Sequence, residues 1–273
     1  MKTLLTTLCA VLFFNFASAQ ERKVNERFST NSNLQEIFID SEYGSIEIVS
    51  APVNEVKIEG TVSINIGRSN DAYTIQGKQE GNTFVIKTEL DEEGLEELII
   101  LRKKDGSKKI ILKDNGNTIY ISGDEDENNE YQSMNHGYDV EIDLVVTVPQ
   151  DKNVRVKSLF GSIKARNLNK EIDIKCTYGG AELVQDRIDR GQNIDVISTY
   201  NHVDVSMGAN SKIDLKLRTD YGKIFSNHNI KVDLSQNNDS PPHGDQVKVK
   251  LNGGGPNVNL ESKYSNVYFR KSS

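Results

Sequence analysis

The sequence predicts an all-β protein: a parallel β-solenoid of the β-helix kind, carrying an inserted β-meander and charged loop. Three observations predict it. First, an aromatic residue followed by a turn former recurs as Tyr43-Gly44, Phe160-Gly161, Tyr178-Gly179, Tyr200-Asn201, Tyr221-Gly222 and Tyr264-Ser265. Second, alternating aliphatics precede each of these anchors and another apolar residue follows three positions later, so every unit holds two short strands about a corner. Third, the anchors from Phe160 to Tyr221 are spaced 18, 22 and 21 residues apart, the length of one coil in a repeat architecture.

In chain order, residues 1–19 come first. Lys2 is a positive start, residues 4–14 are an apolar run, and Ala17-Ser18-Ala19 is a cleavage site of the A-x-A kind. Together they predict a secretory signal peptide and an exported chain that begins at Gln20, bound for the periplasm, the outer surface or the exterior. Cys9 leaves with the signal, so the exported chain keeps the single thiol Cys176 and stability has to come from burial and backbone pairing. No later apolar segment is long enough to span a bilayer.

The 273 residues hold 33 Lys plus Arg against 40 Asp plus Glu, a formal charge of −7. That field repels phosphate backbones, so nucleic acid is not an expected partner. Two Cys exclude a disulfide scaffold, and the low Gly and Pro content excludes a low-complexity polymer.

Residues 20–87 are expected to supply strands that cap or open the solenoid, and residues 136–273 to form its repeats. Four and six positions before the anchors stand Ile39 and Ile37, Val156 and Val154, Ile174 and Ile172, Val196 and Ile194, Leu217 and Leu215, Leu260 and Val258. Two positions before them stand Ser41, Ser158, Cys176, Ser198, Thr219 and Ser262, where a small side chain is required. The anchors share the parity of the buried aliphatics, so they are expected inside the core as one stacked column. The 43-residue interval from Tyr221 to Tyr264 is expected to hold two periods, with 247–251 as the intervening strand. An antiparallel sandwich is the rival fold; same-register recurrence of the corner favours parallel stacking.

Residues 88–135 do not repeat. They carry 13 acids against 6 bases, so nearly all of the net charge sits there. Strands are expected over 97–102, 108–113 and 118–122, joined by turns at Asp105-Gly106 and Asn115-Gly116. Residues 123–133 read as a solvated acidic loop. The candidate interaction residues lie here: Arg102, Lys103, Lys104, Lys108 and Lys109 at a basic hairpin tip, and Asp124, Glu125, Asp126 and Glu127 in the acidic tract. The spaced oxygen ligands of a calcium loop are missing, and His136, His202, His228 and His243 have no partner at metal-ligand spacing, so no metal or cofactor is expected.

Asp173 and Asp195 share a register and could act as a carboxylate pair. Their equivalents Arg155 and Lys216 instead make the column a charge-balanced solvent face. Cys176 reads as a packing residue and His202 as an exposed one. No catalytic residue is expected.

Residues 139–147 read Asp-Val-Glu-Ile-Asp-Leu-Val-Val-Thr and lead through Val148-Pro149 into Val154-Arg155-Val156-Lys157-Ser158-Leu159-Phe160-Gly161-Ser162-Ile163 and further Tyr-Gly-x-Ile corners. This pattern resembles the bacterial putative-adhesin domain family with β-strand repeats, related to the head-GIN-domain putative adhesins. The resemblance is clearest over 138–226, and residues 43–63 look like the family's opening strands. It implies a right-handed solenoid, secreted or envelope-attached, and brings no catalytic residues. The expected function is non-enzymatic interaction with an envelope or surface protein or a glycan. The alternatives are a carbohydrate-active β-helix enzyme and a structural or regulatory envelope component that binds another protein.

Overall fold

The computed structural model describes residues 21–104, 107–114, 117–122, 131–232 and 240–272. The expected signal peptide and the acidic tract 124–127 lie outside the described residues.

The chain forms twenty-two described strands. The N-terminal six are β1 (Arg22–Ser29), β2 (Glu36–Tyr43), β3 (Ser45–Ala51), β4 (Glu55–Ile64), β5 (Tyr73–Glu80) and β6 (Thr83–Leu90). The insertion supplies β7 (Leu98–Lys103), β8 (Lys108–Asp114), β9 (Asn117–Ser122) and β10 (Tyr131–Gly137). Then follow β11 (Val140–Pro149), β12 (Asn153–Phe160), β13 (Ile163–Arg166), β14 (Ile172–Cys176), β15 (Ala181–Gln185), β16 (Ile194–Ser198) and β17 (Val203–Met207). The last five are β18 (Ile213–Thr219), β19 (Ile224–Ser226), β20 (Asp245–Leu251), β21 (Asn257–Ser262) and β22 (Val267–Lys271).

Each repeat unit places one strand in each of two nine-stranded mixed sheets. The first runs β1-β4-β11-β3-β13-β15-β17-β22-β19 and the second β20-β18-β21-β16-β14-β12-β2-β6-β5. Within a strand the alternation works as expected: β16 buries Ile194, Val196 and Ser198 and turns Asp195 and Ile197 outward. The aliphatics of both sheets meet in one core. Burying each such side chain is worth about 1.5–3 kcal/mol.

Equivalent residues of successive units pair in parallel register, as in Val154↔Ile172 and Ile172↔Ile194. The sheets are nonetheless not parallel throughout. β1 pairs antiparallel with β4, β4 with β11, β5 with β6, and β18 with β20.

The interval between Tyr221 and Tyr264 corrects the sequence reading. Residues 247–251 lie in β20, an antiparallel edge strand beside β18, rather than in an intervening coil. The final unit, β21 with β22, inserts between the unit of β16 and β17 and that of β18 and β19. Val247 and Val249 face the core opposite Leu217 and Leu215 but are only half-buried, since β20 is the edge of its sheet among the described residues. Lys248 and Lys250 are suited to such an edge, where charge discourages further strand pairing.

The insertion forms a separate four-stranded sheet, β10-β7-β8-β9. The three expected strands are present, and β10 adds a fourth where a loop was expected up to 133. β10 is almost entirely exposed and carries no apolar alternation. Backbone pairing with β7 holds it, which periodicity cannot reveal. Ile66 joins this sheet to the body by packing against Leu98, Ile100 and Ile110. Asn65, Ile66 and Gly67 have φ of 49°, 60° and 79°. A β-branched residue is rarely found there, and contact with the small apolar cluster offsets the strain at Ile66.

Candidate functional site

The corners between the two sheets are built from the inside outward. The small residues two positions before the anchors form a buried ladder whose hydroxyls hold the corner carbonyls. Ser158 Oγ donates to Gly161 O at 2.9 Å, Ser198 Oγ to Gly179 O at 2.9 Å, Thr219 Oγ1 to Ser265 O at 2.9 Å and Ser262 Oγ to Asn201 O at 2.8 Å. Each anchor amide is fixed to the neighbouring unit, Tyr178 N–H to Leu159 O at 3.0 Å and Tyr200 N–H to Thr177 O at 2.9 Å. Successive corners approach so closely that a Cβ on Gly179 would sit 1.8 Å from Gly161 O.

These corners present the anchor rings to solvent. Phe160, Tyr178, Tyr200, Tyr264 and Tyr221 are 41%, 48%, 51%, 44% and 57% exposed. The expected single column exists, in the order Tyr43, Phe160, Tyr178, Tyr200, Tyr264, Tyr221, with centroid steps of 5.1, 4.9, 4.9, 5.1 and 5.3 Å and interplanar angles of 3–20°. His243 continues it at 5.6 Å from Tyr221. This is offset stacking. Its placement in the core was wrong. The core tapers toward the corner until only a Ser, Thr or Cys fits, and the ring two residues further on lies beyond the taper.

The small-residue position two before each ring marks the narrowing of the core, but where the core ends is set only when the two sheets meet. His243 had no such signal, lying outside every repeat.

Exposure sets the cost of losing a ring. Tyr200→Ala should lower stability by about 1 kcal/mol, the worth of an aromatic pair rather than of a core truncation. A thermal melt showing a loss of several kcal/mol would contradict the surface placement.

Beside the ladder, the outer face of the second sheet forms a shallow groove of about 590 Å³, lined by Leu159, Thr177, Ile197, Thr199, Lys157 and Lys175 among others. Immediately before the middle rings stand the neutral Leu159, Thr177 and Thr199, with Lys157 and Lys175 further out and Asp40, Glu42, Lys87 and Glu89 toward the Tyr43 end. At one end the Tyr43 hydroxyl donates to Glu92 Oε1 at 2.6 Å. Burial, then Glu92 and Glu42, raise the Tyr43 pKa well above the usual phenol range. Toward the other end Lys263 Nζ lies 5.4 Å from the Tyr264 ring. Among the described residues, no hydrogen-bond partner is found for the phenols of Tyr178, Tyr200, Tyr221 and Tyr264.

The sequence-predicted interaction residues do not join this site. Arg102 and Lys108 are opposite each other on β7 and β8, with Lys109 opposite Leu101. Lys103 ends β7 and the exposed Lys104 follows it. Lys108 faces inward to the body: Nζ donates to Asp139 Oδ1 and Oδ2 at 2.7 and 2.8 Å and to Glu141 Oε1. Burial opposes its charge, but those carboxylates outweigh it and raise its pKa. The basic group thus divides, with Lys108 securing the insertion to β11. Asp124, Glu125, Asp126 and Glu127 lie outside the described residues.

Asp173 and Asp195 do face outward on adjacent strands. Asp173 receives Lys175 at 2.9 Å and Asp195 receives Asn259 at 2.7 Å. Asn259, from the inserted last unit, separates Asp195 from Lys216. His202 is partly exposed, with Nδ1 2.8 Å from Asn201 Oδ1. No cluster of three potential metal ligands occurs among the described residues.

Cys176 occupies its expected place in the buried small-residue ladder, Sγ 3.7 Å from Gly180 O. Burial pushes its thiol pKa up to about 12. Thiol labelling of the native protein should therefore proceed only as fast as the fold opens. Cys176→Ser should fold, since serine already fills this position in neighbouring units. Rapid labelling at neutral pH would contradict the assignment.

The architecture is not unique to this chain. Its fold is shared with a solved protein. A putative cell adhesion protein from Clostridium sporogenes superposes with a TM-score of 0.54 at 11% identity, covering 92% of this chain and 100% of that one. A putative adhesin from Bacteroides fragilis aligns over 93% of this chain and 99% of its own, at 9% identity and a TM-score of 0.30. No family model matches the chain, and no curated protein matches it. Among the described residues no helix is long and apolar enough to cross a membrane.

Proposed function

We propose that this protein is an exported, non-enzymatic interaction module of the cell envelope or surface, a right-handed β-solenoid that makes adhesin-like contacts through its aromatic ladder. The carrying observation is the contiguous stripe of half-exposed rings from Phe160 to Tyr221. Apolar stripes of this kind on a water-exposed surface mark binding sites. The fold shared with the Clostridium sporogenes protein supports the reading. So does the pairing of Asp173 and Asp195 with neighbouring side chains, which favours a structural role for them over acid and base chemistry. Arg102, Lys103 and Lys104 of the insertion are assigned a secondary contact role.

The test is attachment. Beads coated with the protein are compared with beads coated with Tyr178→Ser/Tyr200→Ser, on bare cells and on cells displaying the wild-type protein. The double variant should retain its fold and lose at least tenfold in attachment. Equal attachment of the two coatings would overturn the assignment of the ladder as the contact surface.

A further inference from the structure

The geometry points to a second copy of this chain as the occupant of the ladder, two molecules packing ladder to ladder and antiparallel. This rests on the reading of the ladder as a contact surface and names its partner.

Rung spacing is the first argument. The rings recur at 4.9–5.3 Å over the steps from Tyr43 to Tyr221. An extended peptide repeats its same-face side chains every ~6.7 Å and falls out of step within two rungs. A helix repeats at about 5.4 Å, but its side-chain rows run obliquely to its axis and leave a straight stripe. A second copy repeats at the same interval along its whole length, so ring edges of one ladder interleave with those of the other at every rung.

Area is the second. Half-exposed aromatic side chains leave on the order of 100 Å² each, so the five half-exposed rings offer roughly 500 Å² per molecule, with the less exposed Tyr43 adding to it. Flanking Leu159, Thr177 and Thr199 extend this toward the ~800 Å² per partner typical of a specific interface. The interleaved phenols of Tyr178, Tyr200, Tyr264 and Tyr221 can then hydrogen-bond across the contact.

Charge supplies the direction. Glu42 precedes the first ring of the column, Lys263 the fifth and Asp220 the sixth, with neutral Leu159, Thr177 and Thr199 between the first and fifth; Asp220 is paired with Arg218 at 2.9 Å. Among the described residues Lys263 makes no ion pair, and Glu42 acts on Lys87 only through space, helping to raise its pKa. A parallel pairing sets Glu42 against Glu42 and Lys263 against Lys263. An antiparallel pairing with its two-fold axis near Tyr178 sets Glu42 against the partner's Lys263 at both ends of five facing rungs, with Tyr221 beyond them.

Sedimentation of the purified protein across nanomolar to high micromolar concentrations tests this. Wild type should dimerise, and Tyr178→Ser/Tyr200→Ser should raise the dissociation constant at least tenfold with an unchanged fold by circular dichroism. Glu42→Lys and Lys263→Glu, which leave the rings in place, should each weaken the dimer, while an equimolar mixture of the two should pair at near wild-type strength. A wild-type monomer throughout, or a dimer indifferent to the ring substitutions, overturns the inference. Failure of the mixture to restore pairing overturns the antiparallel arrangement. Should wild type stay monomeric while the ring variant still loses attachment to bare cells, the homophilic inference falls and the contact reading stands; a dimer lost without change in attachment has the reverse meaning.

Discussion

Deleting residues 257–273 is expected to abolish the folded C-terminal quarter of the protein rather than trim its end. β21 pairs with β16 on one side and β18 on the other, and β22 lies between β17 and β19. Without them, β18, β19 and β20 lose their attachment to the stack. Leu215 and Leu217 lose their cover on that side, and the exposed edges of β16 and β17 present unpaired backbone groups. Limited proteolysis should show rapid cleavage beyond Met207, with the body over 21–207 surviving as a resistant fragment. Protection of residues 213–226 in the truncated protein would mean that β18 can pair with β16 directly and that the insertion of the last unit is dispensable.

Phe269→Ala is expected to destabilise the protein by about 3–5 kcal/mol, in the range of large aromatic truncations in a core. Phe269 is wholly buried on β22, and His228 stacks on its ring at 4.3 Å. His228 also donates from Nε2 to Arg270 O at 2.9 Å, which fixes the imidazole over the ring. Losing the ring leaves a cavity beneath a histidine that cannot follow it without breaking that bond. Denaturant unfolding measures the cost directly. A loss below about 1 kcal/mol would place the ring in a site able to collapse, contrary to its position between two paired strands. The contrast with Tyr200→Ala is informative, since both replace a large ring in a repeat and only one of the rings lies inside.

Much of this protein was legible in the chain itself. Alternation located the repeat strands because a strand with one buried face has a period of two, and that rule needs no knowledge of neighbours. The same-register corners announced the stacking of Phe160, Tyr178, Tyr200 and Tyr221, although Tyr264 comes between the last two, and the restriction to Ser, Thr or Cys two positions earlier announced the buried ladder that holds Cys176. Three matters were decided only by tertiary structure. Whether a ring at the corner faces in or out depends on where the core ends, which is set by the meeting of two sheets and not by parity within one strand. Strand order depends on which edges are free when a unit arrives, so the last unit could insert beside β16 although Tyr221 precedes Tyr264 in sequence. The fate of Lys108 depended on Glu141 of β11 and Asp139 just before it coming within reach from outside its hairpin. Local pattern dictates which residues can be buried or paired, and long-range pairing selects which of them are.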